Sequence, residues 1–581
     1  MKTQLKVDYS HSATPMRRTI ERRLKLSRAI MLLTISSLIF GMVQAQALTN
    51  PGDIQVPVSS ETQTVAIQAS RGQILDRNGN TLAMTVDSRN VIADQTLVRD
   101  PKSQGLLIAN ITGQDAALIT ERLSGERRYS VISRNVTPSQ WEKIEQLQLP
   151  GIFSERSLTR SYPEGQLAAN VLGFVNSEGV GLGGLEYSMQ GILSGVDGQR
   201  TFSTVPGLST ADQSLVQAID GQHIKLTLDR DIQWYAQEAI AAQVKATRAK
   251  SGVVIVMNPK SGEILAMATA PTFDPNNIYG ADSSLLGNRA VSDAFEPGST
   301  GKVITLAAAL EEGKVTATSK FRIPAGLRRG DKRFTDAHAH GGLKLTLTGI
   351  MAHSSNIGSI LVSEKLSDTV FHNYLSKFGI GKKTNVQLPA ESSGSLLSVS
   401  QWSGTTKPTL SFGQGYSLNA LQATSIFATI ANDGMRVQPT IIQSIQDGSG
   451  RFDPLPKNEP IQVVSRQTAS TIRNMMEYVV TSKGTAPQAK IPRYRISGKT
   501  GTAQAFDTEC GCYKGYIASF IGIAPSDNPE LVVGVFLDRP QSGIYGGALA
   551  GPVFKKVTSF ALQQLRIPPT GSKMPKLRLK W

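Results

Sequence analysis

The sequence predicts an α+β protein carried on a single N-terminal transmembrane helix, and three patterns predict it. Two pairs of apolar runs, SGVVIVMNPKSGEILAMATAP and YIASFIGIAPSDNPELVVGVFLDRP, are each interrupted by turn residues, the pattern of an antiparallel hairpin with a buried face. Between them, apolar residues recur at helical spacing, as in Val303, Ile304, Leu306, Ala307 and Leu310. Ahead of both, no charged residue occurs from Ala29 through Leu48, a run that spans roughly 30 Å as a helix and matches a bilayer core.

In chain order, the first element is that apolar run. Arg17, Arg18, Arg22, Arg23, Lys25 and Arg28 precede it, so the positive-inside rule keeps the N-terminus in the cytoplasm and sends everything after Asn50 outside. An uncleaved anchor is expected, with Ala45-Gln46-Ala47 as the competing signal-peptide cleavage site. In RGQILDRNGNTLA, Asp76 to Gly79 reads as a turn between extended segments. RSYPEGQLAANVLGFV puts Pro163 and Gly165 in a turn before an apolar helical stretch. LTLDRDIQWYAQEAIAAQV starts as a strand and passes into an amphipathic helix, which places a domain boundary near residue 222. The two hairpins and the helical middle follow.

Composition excludes some functions. The 581 residues are 40% hydrophobic and 18% charged, enough for several cores. Residues 1–28 hold eight Lys/Arg against Asp8 and Glu21, and Arg566, Lys573, Lys576, Arg578 and Lys580 face no acid, so the two ends supply eleven of the sixteen net charges. A nucleic-acid binder concentrates charge on a folded face interleaved with aromatics; here the body is mildly basic and aromatics are 6%. Cys510 and Cys512 are too few for a structural zinc site and form either a small-ring disulfide or two free thiols. His338 and His340 lack a third metal ligand and read as part of a solvated loop, His353 as a packing residue, and Asp538-Arg539-Pro540 as a surface ion pair or turn.

The chemistry lies in three strings. FEPGSTGK places Ser299 and Lys302 at the start of a helix, one turn apart on the same face, so the amine reaches the hydroxyl and the helix N-terminus favours a developing oxyanion. Alone, this spacing is more readily a serine cap with a surface lysine. Two further strings follow in order: Ser354-Ser355-Asn356, then Lys499-Thr500-Gly501-Thr502. The ordered S-x-x-K, S-x-N, K-T-G set resembles that of penicillin-binding proteins and class A β-lactamases.

RGQILDRNG, RSYPEGQLAANVLG, LTLDRDIQ, FEPGSTGK, SFGQGYSLNALQ and YGGALAGPVF all resemble their counterparts in class B penicillin-binding proteins, a likeness running from Arg71 to Phe554. FEPGST is similar to the division-specific (septal) subgroup more than to the elongation subgroup. The resemblance implies a cytoplasmic basic tail 1–28, a transmembrane anchor 29–48, an elongated β-rich pedestal of dimerisation type over 49–222, and a transpeptidase domain over 223–565. That domain is expected to be an antiparallel sheet flanked by helices plus an all-helical part. The basic, Pro-rich tail 566–581 is expected to have no fixed fold.

The resemblance also implies roles. Ser299 attacks the carbonyl of the penultimate D-alanine of a stem peptide, and Lys302 takes its proton. Ser354 shuttles the proton to the leaving amine, Asn356 holds the substrate backbone, and Lys499, Thr500, Gly501 and Thr502 receive the terminal carboxylate. The N–H groups of Ser299 and Thr502 form the oxyanion hole. For Lys302 to act near neutrality, burial and the Lys499 charge must lower its pKa. No metal or cofactor is implied. Implied partners are the D-Ala-D-Ala donor and amine acceptor, β-lactam antibiotics, the membrane, a polytopic glycan polymerase and other divisome proteins. No omega-loop Glu or glycosyltransferase string is recognised, which favours crosslinking over hydrolysis or glycan polymerisation. The alternatives are an elongation-type transpeptidase, or a β-lactam-binding scaffold or sensor with little turnover.

Overall fold

The computed structural model describes residues 30–39, 62–203, 212–456, 458–507 and 510–581. The expected cytoplasmic tail 1–28 and the Ala45-Gln46-Ala47 site lie outside these. Of the expected anchor, residues 30–39 are described, as an exposed helix; among the described residues no helix is long and apolar enough to cross a membrane.

The chain forms two compact units. The smaller is built on a three-stranded sheet of Thr62–Ile67, Gly198–Ser203 and Asp212–Val216, in which the Thr64 and Thr201 hydroxyls meet at 3.0 Å. The larger holds everything else that matters for chemistry.

In the larger unit, β1 (Ile74–Leu75) and β2 (Thr81–Ala93) flank the predicted turn, where Asp76 Oδ1 accepts the N–H groups of Asn78 and Asn80 at 2.8 Å each. β2 pairs with β3 (Ser130–Val136) and β4 (Ile152–Ser161). β1 pairs in parallel with β5 (Ile224–Leu226), so one sheet joins strands from both sides of residue 222. Beneath it, Glu186 is 0% exposed and accepts from Arg71 Nε at 2.5 Å and Arg160 Nε at 2.7 Å. A carboxylate so buried is tolerated because two guanidiniums satisfy it. The Arg71 and Arg160 strings singled out in the sequence therefore converge on one residue.

After the Asp229 cap comes α1 (Arg230–Thr247), then β6 (Ser251–Met257) and β7 (Ile264–Ala270), the antiparallel hairpin expected from the sequence. The helical part supplies α2 (Lys302–Glu311), a small pair β8 (Lys320–Ile323) and β9 (Leu343–Thr346), α3 (Leu347–His353), α4 (Asn356–Ser363) and α5 (Ala420–Ala431). β10 (Ser497–Asp507), β11 (Cys512–Ala524) and β12 (Leu531–Asp538) then complete a five-stranded antiparallel sheet in the order β7-β6-β12-β11-β10, and α6 (Gly546–Gln564) follows.

The sheet is covered on both faces. Gly252 abuts Ile240 of α1, whereas Gly534, opposite Ile255 and hence on the other face, abuts Thr424 of α5. Tyr235 of α1 stacks on Phe560 of α6, ring centroids 4.3 Å apart. The expected sheet flanked by helices is thus present, and every residue of β6 and β7 is buried, which near-continuous apolar runs with no polar alternation signal.

Two further outcomes differ from or decide between the sequence readings. Cys510 and Cys512 are paired in a disulfide at the β10–β11 turn. Residues 566–581, expected to have no fixed fold, are docked: the Tyr494 hydroxyl donates to Ile567 O at 2.7 Å, the Tyr478 hydroxyl to Pro575 O at 2.8 Å, and Lys580 bridges Leu345 of β9. The basic composition hid the alternation of Leu577, Leu579 and Trp581, which is the signal of an added strand.

Candidate active site

A short 3₁₀ turn, Gly298–Gly301, leads into α2 and presents Ser299. The turn is fixed from behind: Gly298 N donates to Gly413 O at 2.8 Å, and Gly413, at φ +88, has Gly298 O only 1.8 Å from where a Cβ would sit. The SFGQG string thus backs the serine turn. Lys302 opens α2 itself, and its side chain is 1% exposed.

Four groups meet at the Lys302 amine. Its Nζ lies 3.0 Å from Ser299 Oγ, 2.5 Å from Ser354 O, 3.2 Å from Ser354 Oγ and 2.7 Å from Asn356 Oδ1. Ser354 caps the end of α3 in a left-handed conformation, φ 57, which turns its hydroxyl toward both lysines. From the sheet side, Lys499 on β10, 0% exposed, donates to Ser354 Oγ at 2.8 Å. The structure therefore links the three strings as Ser299–Lys302–Ser354–Lys499. Along β10, the Thr500 hydroxyl meets that of Thr485 at 2.8 Å, and the Thr502 hydroxyl accepts from Gly546 N at 3.3 Å. Gly501 permits the strand to approach the serine turn: a Cβ there would sit 2.2 Å from Ser519 Oγ and 3.1 Å from Pro297 O.

The electrostatics follow from burial. Lys302 is held down to about 7 by desolvation, opposed by the nearby Asp336 carboxylate. Lys499 is held well below its ordinary value, first by burial and then by the Lys302 charge. The expected depression of Lys302 is thus present with burial as its cause, and the repulsion between the lysines weighs on Lys499.

Asp336 was not foreseen. It lies in RRGDKRFTDAHAHGG, read from sequence as a solvated loop, yet its Oδ1 accepts from Ile357 N at 2.9 Å and its Oδ2 from Ser355 Oγ at 2.7 Å. It also contacts His340 Nε2 at 3.1 Å, and Asn356 Nδ2 donates to Thr335 O at 3.1 Å. The loop is therefore tied to the residues flanking Ser354. A Phe334–Thr335 pair breaking a charged run was its only sequence signal. His338, in the same loop, faces Tyr545 at 5.7 Å between rings. Among the described residues no cluster of three metal-ligating side chains occurs.

Past Thr502, a cleft of about 780 Å³ opens, lined among others by Glu296, Gln504, Phe506 and Tyr513. Glu296 Oε1 is fixed by Gly415 N at 2.9 Å and the Tyr513 hydroxyl at 3.2 Å. Asp538 and Arg539 are joined at 3.3 Å as an ion pair. The His353 Nε2 is buried without a partner.

Residues 252–559 match the penicillin binding protein transpeptidase domain and residues 66–226 the penicillin-binding protein dimerisation domain. The penicillin-binding protein PbpB of Mycolicibacterium smegmatis is 34% identical over 94% of this chain and 92% of its own. The peptidoglycan D,D-transpeptidase FtsI of Escherichia coli K12 is 31% identical over 91% and 88%. The crystal structure of penicillin binding protein 3 from Mycobacterium tuberculosis, complexed with aztreonam, aligns at a TM-score of 0.71 and 33% identity, covering 89% of this chain and 100% of that one. With two domain families matched in order, relatives alike over nearly the whole length, and the three strings brought onto one hydroxyl, this chain belongs to the class B penicillin-binding proteins.

Proposed function

We propose that the chain is a peptidoglycan D,D-transpeptidase that crosslinks stem peptides through a Ser299 acyl-enzyme during septal wall synthesis and is inhibited by β-lactams. The observation that carries this reading is the Lys302 amine, buried and lowered to about 7, 3.0 Å from the Ser299 hydroxyl. A neutral amine has a lone pair to accept the hydroxyl proton while Oγ attacks the carbonyl of the penultimate D-alanine. The N–H groups of Ser299 and Thr502 receive the oxyanion. As the tetrahedral adduct collapses, the proton passes from Lys302 through Ser354 Oγ to the departing D-alanine amine, leaving the acyl ester. An acceptor amine then attacks the ester and gives up its proton by the reverse path, releasing Ser299.

The remaining residues position the donor. Lys499, with the Thr500 and Thr502 hydroxyls around Gly501, takes the terminal carboxylate. Asn356 orients Lys302 through its Oδ1 at rest and holds the substrate backbone when loaded. β10 is the edge strand of its sheet, so a peptide can pair along it. A β-lactam follows the same first step, but its cleaved amide remains tethered and blocks the acceptor. Residues 29–48 anchor the chain with its N-terminus in the cytoplasm, and a polytopic glycan polymerase and other divisome proteins are its partners. FEPGST supports the septal over the elongation role.

The test is the intact mass of the full-length protein and its Ser299→Ala variant after incubation with benzylpenicillin. A stable adduct on the wild type alone is expected. Rapid turnover to hydrolysed drug would point to a hydrolase, and no adduct on either protein to a scaffold.

A further inference from the structure

We propose that residues 575–581 are a positioning element of the active site, acting on Ser354 through α3. The idea rests on the Ser354 role above. Tyr478 fixes the segment as it arrives, its hydroxyl donating to Pro575 O at 2.8 Å and accepting from Leu577 N at 2.6 Å. Beyond this point the segment runs beside β9, joined to it by one isolated antiparallel bridge. Thr346 N donates to Leu579 O at 3.0 Å, Thr346 Oγ1 to Arg578 O at 2.5 Å, and Lys580 bridges Leu345. The Trp581 ring closes the arrangement under Lys320, Arg322 and Lys344, with 5.1, 5.8 and 5.6 Å to its centroid.

Thr346 connects this segment to the Ser354 hydroxyl. The same Oγ1 that donates to Arg578 O accepts from Gly349 N at 3.1 Å, so one side chain caps α3 and holds the segment. Gly349, on the first turn of α3, packs so closely on Leu579 that a Cβ would lie 2.0 Å from Leu579 O. α3 has seven residues and ends at His353, so Ser354 sits at the far end of a rigid rod about 10 Å long whose near end rests on the segment. Burial, with the Lys580 charge adding to it, holds the His353 imidazole below its ordinary value. A displaced rod moves the Ser354 hydroxyl off the two lysines while leaving Ser299, Lys302 and β10 in place.

The prediction therefore splits the kinetics: the rate constant of the acylation step falls and the affinity of the preceding complex does not. The full-length protein, a chain ending at Leu577, Gly349→Ala, and the two changes combined are each titrated with benzylpenicillin, and both constants are extracted. Shortening and Gly349→Ala are each expected to lower the acylation rate constant roughly 10- to 100-fold. The combined variant is expected to be no slower than the shortened chain, because removing Leu579 takes away the two atoms nearest the new Cβ, its O at 2.0 Å and C at 3.0 Å, and leaves Leu345 Cβ at 3.2 Å as the next neighbour. An unchanged rate constant in the shortened chain, or losses that multiply in the combined variant, overturns the proposal. Should the shortened chain not fold, Gly349→Ala and Thr346→Val in the full-length protein carry the same test, and an unchanged rate constant in both overturns it. A wild type that forms no adduct would refute the Ser299 reading instead.

Discussion

If Lys302 is the base, acylation must follow its titration. Burial lowers it from 10.5 to about 7, so its neutral fraction is about a tenth at pH 6 and about nine-tenths at pH 8. The second-order rate constant for acylation by benzylpenicillin should therefore rise roughly tenfold between pH 6 and pH 8 and then level off. An ordinary lysine is under about 1% neutral at pH 8, and its rate would keep climbing about tenfold per pH unit toward 10. Stopped-flow acylation across pH 5.5–9.5 separates the two. Because the Ser354 hydroxyl bridges Lys302 and Lys499, the midpoint belongs to the pair and not to one amine. A rate still rising tenfold per unit between pH 8 and 9.5 would falsify the assignment of Lys302 as a base tuned by burial.

Lys302→Met should abolish acylation yet raise stability. A lysine lowered on folding binds fewer protons folded than unfolded between about 7 and 10.5, so wild-type stability climbs with pH across that window and the full penalty, about 5 kcal/mol, applies below it. The advantage of the methionine variant in thermal melting should be largest at pH 7 or below and shrink toward pH 10. Asp336→Asn removes the charge that draws Lys302 upward, so the midpoint of the acylation profile should move to lower pH; a shift to higher pH would contradict the attribution. Gly413→Ala drives a Cβ into Gly298 O, and acylation should fall by roughly 100-fold or more with little change in far-ultraviolet circular dichroism. Glu186→Gln leaves two buried guanidiniums without their carboxylate and should destabilise the protein by about 3–5 kcal/mol, read from denaturant unfolding.

Much of the site was legible because its chemistry is written in short strings whose order survives folding. Ser299 and Lys302 are neighbours through helical spacing, and the two hairpins announced the sheet that carries Lys499 through their apolar runs and turn residues. What stayed hidden depends on distance in sequence. Asp336 sits 34 residues from Lys302 in a run of Arg, Lys and His that has the composition of a solvated loop, and only the packed structure shows its carboxylate under the start of α4. Residues 566–581 were misread for a related reason: five cations outweighed the alternating Leu577, Leu579 and Trp581, whose partner strand β9 lies more than 200 residues earlier. The apolar runs announced buried hairpins, but a run by itself does not say which helices will cover each face.

The three strings are not held equally. The serine turn and the Lys499 strand pack closely, a Cβ at Gly501 falling 3.1 Å from Pro297 O, and the turn is held from behind by the bond from Gly298 N to Gly413 O. Ser354 stands on a separate wall, at the end of α3, kept in register by Asp336 on one side and residues 578–580 on the other. Its hydroxyl must nevertheless lie within 3.2 Å of Lys302 and 2.8 Å of Lys499 at once, in a left-handed conformation that the serine does not favour by itself. Perturbing either support should therefore impair proton transfer before it impairs capture of the substrate, whereas perturbing Gly413 should impair the nucleophile. Loss of acylation rate at constant affinity in the first group, beside loss of both in the second, is the pattern that follows from a nucleophile fixed by its Gly413 backing and a proton shuttle fixed through α3.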